Sequence, residues 1–159
     1  MESLGGYQIK NEIGQGGMAI TYRAYQANMD RHVAIKIMRA DLAASPEFVE
    51  RFLAGVRTIA RLEHPRILPV YYFGREGDTL YLVMRLIEGG TLRDLMRHGN
   101  IAREEINRFI GQIASALDYA HKQNVLHCDL KPTNLLVDHS GELYLADFGI
   151  AQLATTTTH

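Results

Sequence analysis

Residues 127–134 read His127-Cys128-Asp129-Leu130-Lys131-Pro132-Thr133-Asn134. They set an acid, a base and an amide within one turn's reach, and a second acid follows in Asp147-Phe148-Gly149. Whatever this chain folds into has to hold these groups in register, and the rest of it reads as their scaffold. The 159 residues are 47% apolar, enough for a domain with a real core. A net charge of −1 leaves no basic field for nucleic acid or an anionic membrane. Cys128 is the only cysteine, so there is neither an intrachain disulfide nor a thiol zinc cluster. A soft-metal site would need His127, Cys128 and His121, adjacent ligands without the usual Cys-x-x-Cys repeat. With no long apolar run and no signal-peptide pattern, the expectation is a cytoplasmic chain without membrane contact.

Tyr7 to Ile13 predicts a strand, Gly14-Gln15-Gly16-Gly17 a tight turn, and Ile20 to Ala24 the return strand. Such a hairpin lets backbone N–H groups approach a phosphate closely, and glycine clusters also make plain turns. Val33-Ala34-Ile35-Lys36 predicts a third strand carrying a lysine among apolar neighbours. After a linker from Asp41, Ser45-Pro46-Glu47 predicts a helix start, with a hydroxyl cap, proline at the first position and an early acid. The helix is expected to run to about Leu62 with an apolar face of Phe48, Phe52, Ile59 and Leu62, and Gly55 falls on that face. Ile67–Phe73 and Leu80–Met84 predict two further strands. Gly89-Gly90 marks a boundary between parts at 1–88 and 89–159. Beyond it come a short helix capped by Thr91 and a long one from about Ala102 to Gln123, ended by Asn124. The long helix carries Ile106, Phe109, Ile110, Ile113, Ala114, Leu117 and Ala120. Leu135–Val137 and Leu143–Leu145 predict short strands that bracket the polar loop and deliver Asp147.

The order glycine hairpin, V-A-I-K strand, long helix, H-x-D-x-K-x-x-N and D-F-G resembles the bacterial, PknB-like branch of the serine/threonine protein kinases from Tyr7 to Ala151. The resemblance implies an α+β, protein-kinase-like fold: a five-stranded antiparallel sheet with one helix, then a partial, mainly helical lobe. It implies ATP and Mg2+ as ligands. Asp129 would orient or deprotonate the substrate hydroxyl, and Lys131 would stabilise the transferring phosphate. Asn134 and Asp147 would hold magnesium. Lys36 would contact the first phosphates, under a loop of Ile13, Gly14, Gly16 and Gly17. Thr21, Ala34 and Leu136 would sandwich the adenine. Met84 would guard the back of the pocket, and the backbone near Arg85 and Ile87 would bond the adenine edge. His127 would be a structural residue packing on Phe148.

The family's pattern is not complete. In G-x-G-x-x-G-x-V, Ala19 stands for the third glycine and Thr21 for the valine. Cys128 replaces an arginine that binds activation-segment phosphate. Counting back from Leu62-Glu63-His64-Pro65, Gly55 occupies the position of the helix glutamate that pairs with the strand lysine. The chain ends at His159, before any A-P-E motif. These departures predict a kinase-derived, pseudokinase-like ATP/Mg-binding domain with little or no phosphotransfer by this chain alone. The alternatives are an active minimal or complementing serine/threonine kinase acting on a protein substrate, and a nucleotide-free scaffold module. The stripe from Ile106 to Ala120 would be left uncovered, which predicts self-association. Light scattering is expected to show a dimer; a well-folded monomer that survives concentration would overturn this.

Overall fold

The strand-forming runs at the start of the chain close into one antiparallel sheet. A computed structural model describes residues 2–99 and 101–149. Its first unit, residues up to Ala60 together with Pro69–Leu86, contains β1 (Ser3–Leu4), β2 (Tyr7–Gln15), β3 (Ala19–Gln26), β4 (Arg31–Met38), β5 (Val70–Glu76) and β6 (Thr79–Arg85), in the order β1-β2-β3-β4-β6-β5. The sheet thus has six strands rather than five. The extra one, β1, folds back on β2 through Gly5-Gly6, both at positive φ (57° and 83°). Glycine is required there twice over, because a Cβ on Gly5 would overlap the Tyr81 hydroxyl.

Alternation sorts the sheet's two faces. Val33 and Ile35 are fully buried and join Leu4, Tyr7, Ala24, Tyr81 and Val83 in one apolar cluster. Residues directly opposite in neighbouring strands share a face. Lys36 is opposite Thr21 on β3 and Leu82 on β6, and Ala34 is opposite Met84. Thr21, Ala34, Lys36 and Met84 therefore line the face that this cluster does not use, with Gly14 opposite Thr21 at the row's end.

The expected linker contains a single helical turn, α1 (Ala40–Ala43), followed by α2 (Pro46–Ile59). Ser45 caps α2 by accepting the Phe48 N–H at 3.3 Å, with Pro46 in the first turn. The helix stops at Ile59, one turn short of Leu62, so its buried stripe is Phe48, Phe52 and Val56 rather than one continuing through Ile59 and Leu62. Gly55 is half-buried beside that stripe.

The chain leaves the first unit after Ala60 and rejoins it at Pro69. Arg61–Leu68 packs with the second unit, which also takes the chain from Ile87 on. The strand expected from Ile67 accordingly begins only at Val70. Ile67 and Leu68 lie instead beside β8 (Leu143–Leu145): Leu145 N–H donates to the Arg66 carbonyl at 2.7 Å and Leu68 N–H to the Leu145 carbonyl at 2.8 Å. An Arg66–Glu142 ion pair holds the segment from the side. His64 holds it from α4 (Arg103–Lys122), its Nε2 lying 3.1 Å from the Ser115 hydroxyl.

The remaining elements of this unit are α3 (Leu92–His98), with a complete Thr91–Asp94 capping box, and β7 (Leu135–Val137) antiparallel to β8. Helix α4 ends as the sequence predicts. Asn124 is left-handed (φ 59°), Asn124 N–H reaches the His121 carbonyl and Val125 N–H the Ala120 carbonyl, which together form a Schellman motif. The apolar stripe of α4 divides: Phe109, Ala116 and Ala120 are buried, whereas Ile106 and Ile110 are 43% and 59% exposed. No helix among the described residues is long and apolar enough to cross a membrane.

Candidate functional site

In the second unit the polar loop leaves α4 and returns to β7. It is ordered by a buried imidazole. His127 is 3% exposed. Its Nε2–H donates to the Ala146 carbonyl at 2.9 Å, its Nδ1 accepts the Asp129 N–H at 3.3 Å, and its ring packs 4.5 Å from that of Phe148. The neutral tautomer with hydrogen on Nε2 is the only one that satisfies both bonds. The His127 carbonyl in turn accepts the Gly149 N–H at 2.7 Å. One residue thereby ties the loop to the end of β8 and to the Asp147-Phe148-Gly149 turn. Both ring nitrogens are engaged, so His127 has no lone pair for a soft metal. Among the described residues no three His, Cys, Asp or Glu side chains cluster as a metal site.

Within this frame Asp129, Lys131 and Asn134 converge. Lys131 Nζ is 2.8 Å from Asp129 Oδ2. Asn134, 6% exposed, donates from Nδ2 to the Asp129 carbonyl at 2.8 Å and to Asp129 Oδ2 at 3.0 Å. These two acceptors orient the amide and leave Oδ1 as the acceptor end. Burial pushes the Asp129 carboxyl up, but the hydrogen bonds from Lys131 and Asn134 and the Lys131 charge outweigh it and hold the carboxyl below its ordinary range. Asp129 is thus a carboxylate at neutral pH. The Asn134 carbonyl accepts the Ala146 N–H at 2.9 Å, so the amide and the residue before Asp147 are one backbone bond apart. Cys128 and Asp147 both have left-handed backbones, φ 62° and 59°. Cys128 points outward as an exposed thiol. Leu136 is half-buried on β7 opposite Tyr144, and Ile87 is half-buried just past the first unit.

In the first unit, Gly16 N–H closes the hairpin onto the Ala19 carbonyl at 2.9 Å. Gly14, Gly16 and Gly17 all lie outside the left-handed region, and a Cβ on any of them would meet nothing closer than 3.8 Å. No protein atom explains why these positions are glycine. Ile13 is 46% exposed beside them. Lys36 and Thr21 are half-buried, Ala34 and Met84 buried, and Arg85 exposed at the end of β6. Sequence reasoning missed Arg39. Its Nη1 donates to the Gly17 carbonyl at 3.2 Å and its N–H to the Met18 carbonyl at 2.9 Å, while two guanidinium nitrogens hold Asp41. Nothing local signals this, because the contact spans 22 residues.

These two units are the parts of a protein-kinase-like fold. The sequence model of the protein kinase domain matches residues 7–159, and the chain belongs to that family. Among similar curated proteins, serine/threonine-protein kinase PrkC of Bacillus subtilis is 42% identical over 155 residues, 97% of this chain and 24% of that protein. Serine/threonine-protein kinase PknH of Mycobacterium tuberculosis is 38% identical over 153 residues, 96% of this chain and 24% of that protein. The crystal structure of the Mycobacterium tuberculosis PknI kinase domain superposes with a TM-score of 0.80 at 30% identity, covering 93% of this chain and 61% of that one. The chain therefore spans about a quarter of these curated relatives and about three-fifths of that solved domain.

Burial lowers the proton affinity of His127, and burial together with the Arg66 charge lowers that of His64. A histidine whose folded pKa lies below its unfolded value of about 6.5 binds its proton preferentially when unfolded, so its contribution is complete above about pH 6.5 and falls as the pH drops toward the folded value. Urea midpoints are expected to decline between about pH 7 and pH 5, and His127→Asn to flatten that decline by up to one proton. An identical slope in the variant would contradict this assignment.

Proposed function

We propose that this chain binds ATP with magnesium and, taken alone, transfers the γ-phosphoryl group slowly or not at all. ATP and magnesium are the ligands typical of the family to which it belongs. The observation that carries the reading is the Asp129–Lys131–Asn134 cluster, held in register by His127. Asp129, kept ionised, is suited to accept or orient a hydroxyl proton. Lys131 is suited to a transferring phosphate. Asn134, through its oriented Oδ1, and Asp147, through its carboxylate, are the hard oxygen donors that would hold magnesium. Bound there, the ion would neutralise phosphate charge. In the first unit, glycines that no protein contact demands support a loop kept bare for a phosphate, with Lys36, Thr21, Ala34 and Met84 on one sheet face for the nucleotide.

The expectation of weak transfer rests on α2, where position 55, the place of the family's helix glutamate, is a glycine and offers no carboxylate. Kinase turnover needs the lysine–glutamate pair in place. The intact Asp129 cluster supports a second reading, a working serine/threonine kinase whose missing carboxylate is supplied from elsewhere.

Calorimetric titration is expected to show magnesium-dependent ATP binding. Gly16→Ala should weaken it by about ten-fold while leaving the unfolding free energy unreduced, since alanine restricts the unfolded chain. Absence of binding would exclude the proposal. Labelled phosphate transfer to a basic protein should be slow, abolished by Asp129→Asn, and raised about ten-fold or more by Gly55→Glu. The same change should stabilise α2 by about 0.5–1 kcal/mol, so turnover is read beside stability. Unchanged turnover with intact ATP binding would show that position 55 is not the lesion.

A further inference from the structure

A shallow groove within the second unit is lined by Arg93, Met96 and Arg97 from α3 and by Lys131, Pro132 and Thr133 from the polar loop. Three of these six side chains are cationic and none is anionic. The single acid of α3, Asp94, caps the helix, its carboxylate accepting the Thr91 N–H at 2.9 Å and the Thr91 hydroxyl at 2.6 Å, and it offsets only part of this charge. Arg93 and Arg97 are exposed, and neither forms a hydrogen bond or ion pair among the described residues. Met96, 57% exposed, and Pro132 add apolar wall. Lys131 joins the groove to Asp129, 2.8 Å away.

Two guanidinium groups on one exposed face suit carboxylates, which they can bind in a planar, bidentate manner with less dehydration cost than an ammonium group. Their positions four apart put them on the same side of α3, one turn from each other. We propose that this groove receives an acidic segment of a protein substrate, adjacent to the serine or threonine presented to Asp129. The inference rests on the kinase reading above and adds a substrate class to it. An acidic segment would lay its aliphatic stems against Met96 and Pro132 and its carboxylates against Arg93 and Arg97. A basic segment would meet the like charges of Arg93 and Arg97, Lys131 being paired with Asp129.

Two labelled peptides with the same threonine, one flanked by Asp and Glu and the other by Lys and Arg, are titrated against the purified chain by fluorescence anisotropy at about 0.1 M salt, where the screening length is about 10 Å. The acidic peptide is expected to bind about ten-fold more tightly. Arg93→Glu/Arg97→Glu should abolish or reverse that preference, and Arg93→Gln/Arg97→Gln should fall between. Both positions are exposed on a helix that accommodates Glu and Gln as readily as Arg, so the fold is retained, and circular dichroism checks it. No peptide binding, equal affinities, or a preference that survives both double variants would overturn the proposal. So would a singly phosphorylated peptide of otherwise neutral flanks outcompeting the acidic one, which would assign the groove to phosphorylated segments. ATP binding and phosphate transfer are measured separately on the same preparations. Charge-dependent peptide binding without ATP binding would sustain the groove and sink the nucleotide reading. Transfer without charge preference would do the reverse.

Discussion

The second unit depends on one neutral imidazole. His127 spans three backbone segments: the Asp129 amide through Nδ1, the end of β8 through Nε2, and the Gly149 amide through its own carbonyl. Each bond is of ordinary strength, worth about 1 kcal/mol net. Their importance lies in what would follow from losing one, since a buried donor or acceptor left without a partner costs more than its bond contributed. A tilted contact with the Phe148 ring, 46° between planes, adds a packing restraint, so that the loop and the Asp147 turn are positioned by the same side chain. Asp129, Lys131 and Asn134 can form a compact polar group at the surface because the residue beneath them is fully satisfied.

Much of this was legible in the sequence, for reasons that can be named. Ser45, Thr91 and Asn124 are local signals: capping and left-handed termination depend on residues within four positions, and all three occur where expected. Alternation in Val33-Ala34-Ile35-Lys36 sorts the two faces of β4 without any knowledge of its neighbours. What escaped depends on distant atoms. Arg39 on the glycine hairpin, Gly5 against Tyr81, and the docking of Arg61–Leu68 beside β8 all join residues far apart in sequence. The end of α2 was misjudged for the same reason. Helical periodicity continues through Leu62, but His64 and Arg66 draw the chain away to α4 and Glu142 before the last turn can form. Residue roles in the site came from resemblance to a family, and the geometry supplies the physical frame in which those roles can be tested.

Match to and departure from the family pattern lie in different parts of the chain. The polar loop keeps Asp129, Lys131 and Asn134, though not the arginine that Cys128 replaces, and the carboxylate of Asp129 is stabilised by the same amide and ammonium that surround it. The departure at Gly55 lies on a helix whose own construction is sound: it is capped, amphipathic and well buried through Phe48, Phe52 and Val56. A glycine there weakens helix propensity by about 1 kcal/mol relative to alanine, which packing readily absorbs. The stability of α2 is therefore no guide to what position 55 does for the proposed activity, because folding and phosphoryl transfer make independent demands.

Cys128 and Asp147 carry a different kind of information. Left-handed backbone disfavours most side chains by about 1 kcal/mol or more; aspartate tolerates it through local hydrogen bonding, whereas cysteine has no such compensation. The loop is thus shaped against its own local preference, by tertiary contacts that close around it. In the unfolded chain these residues have no reason to visit that conformation. The geometry of the site is consequently a collective product of the fold, held by the packing around His127 rather than by local preference.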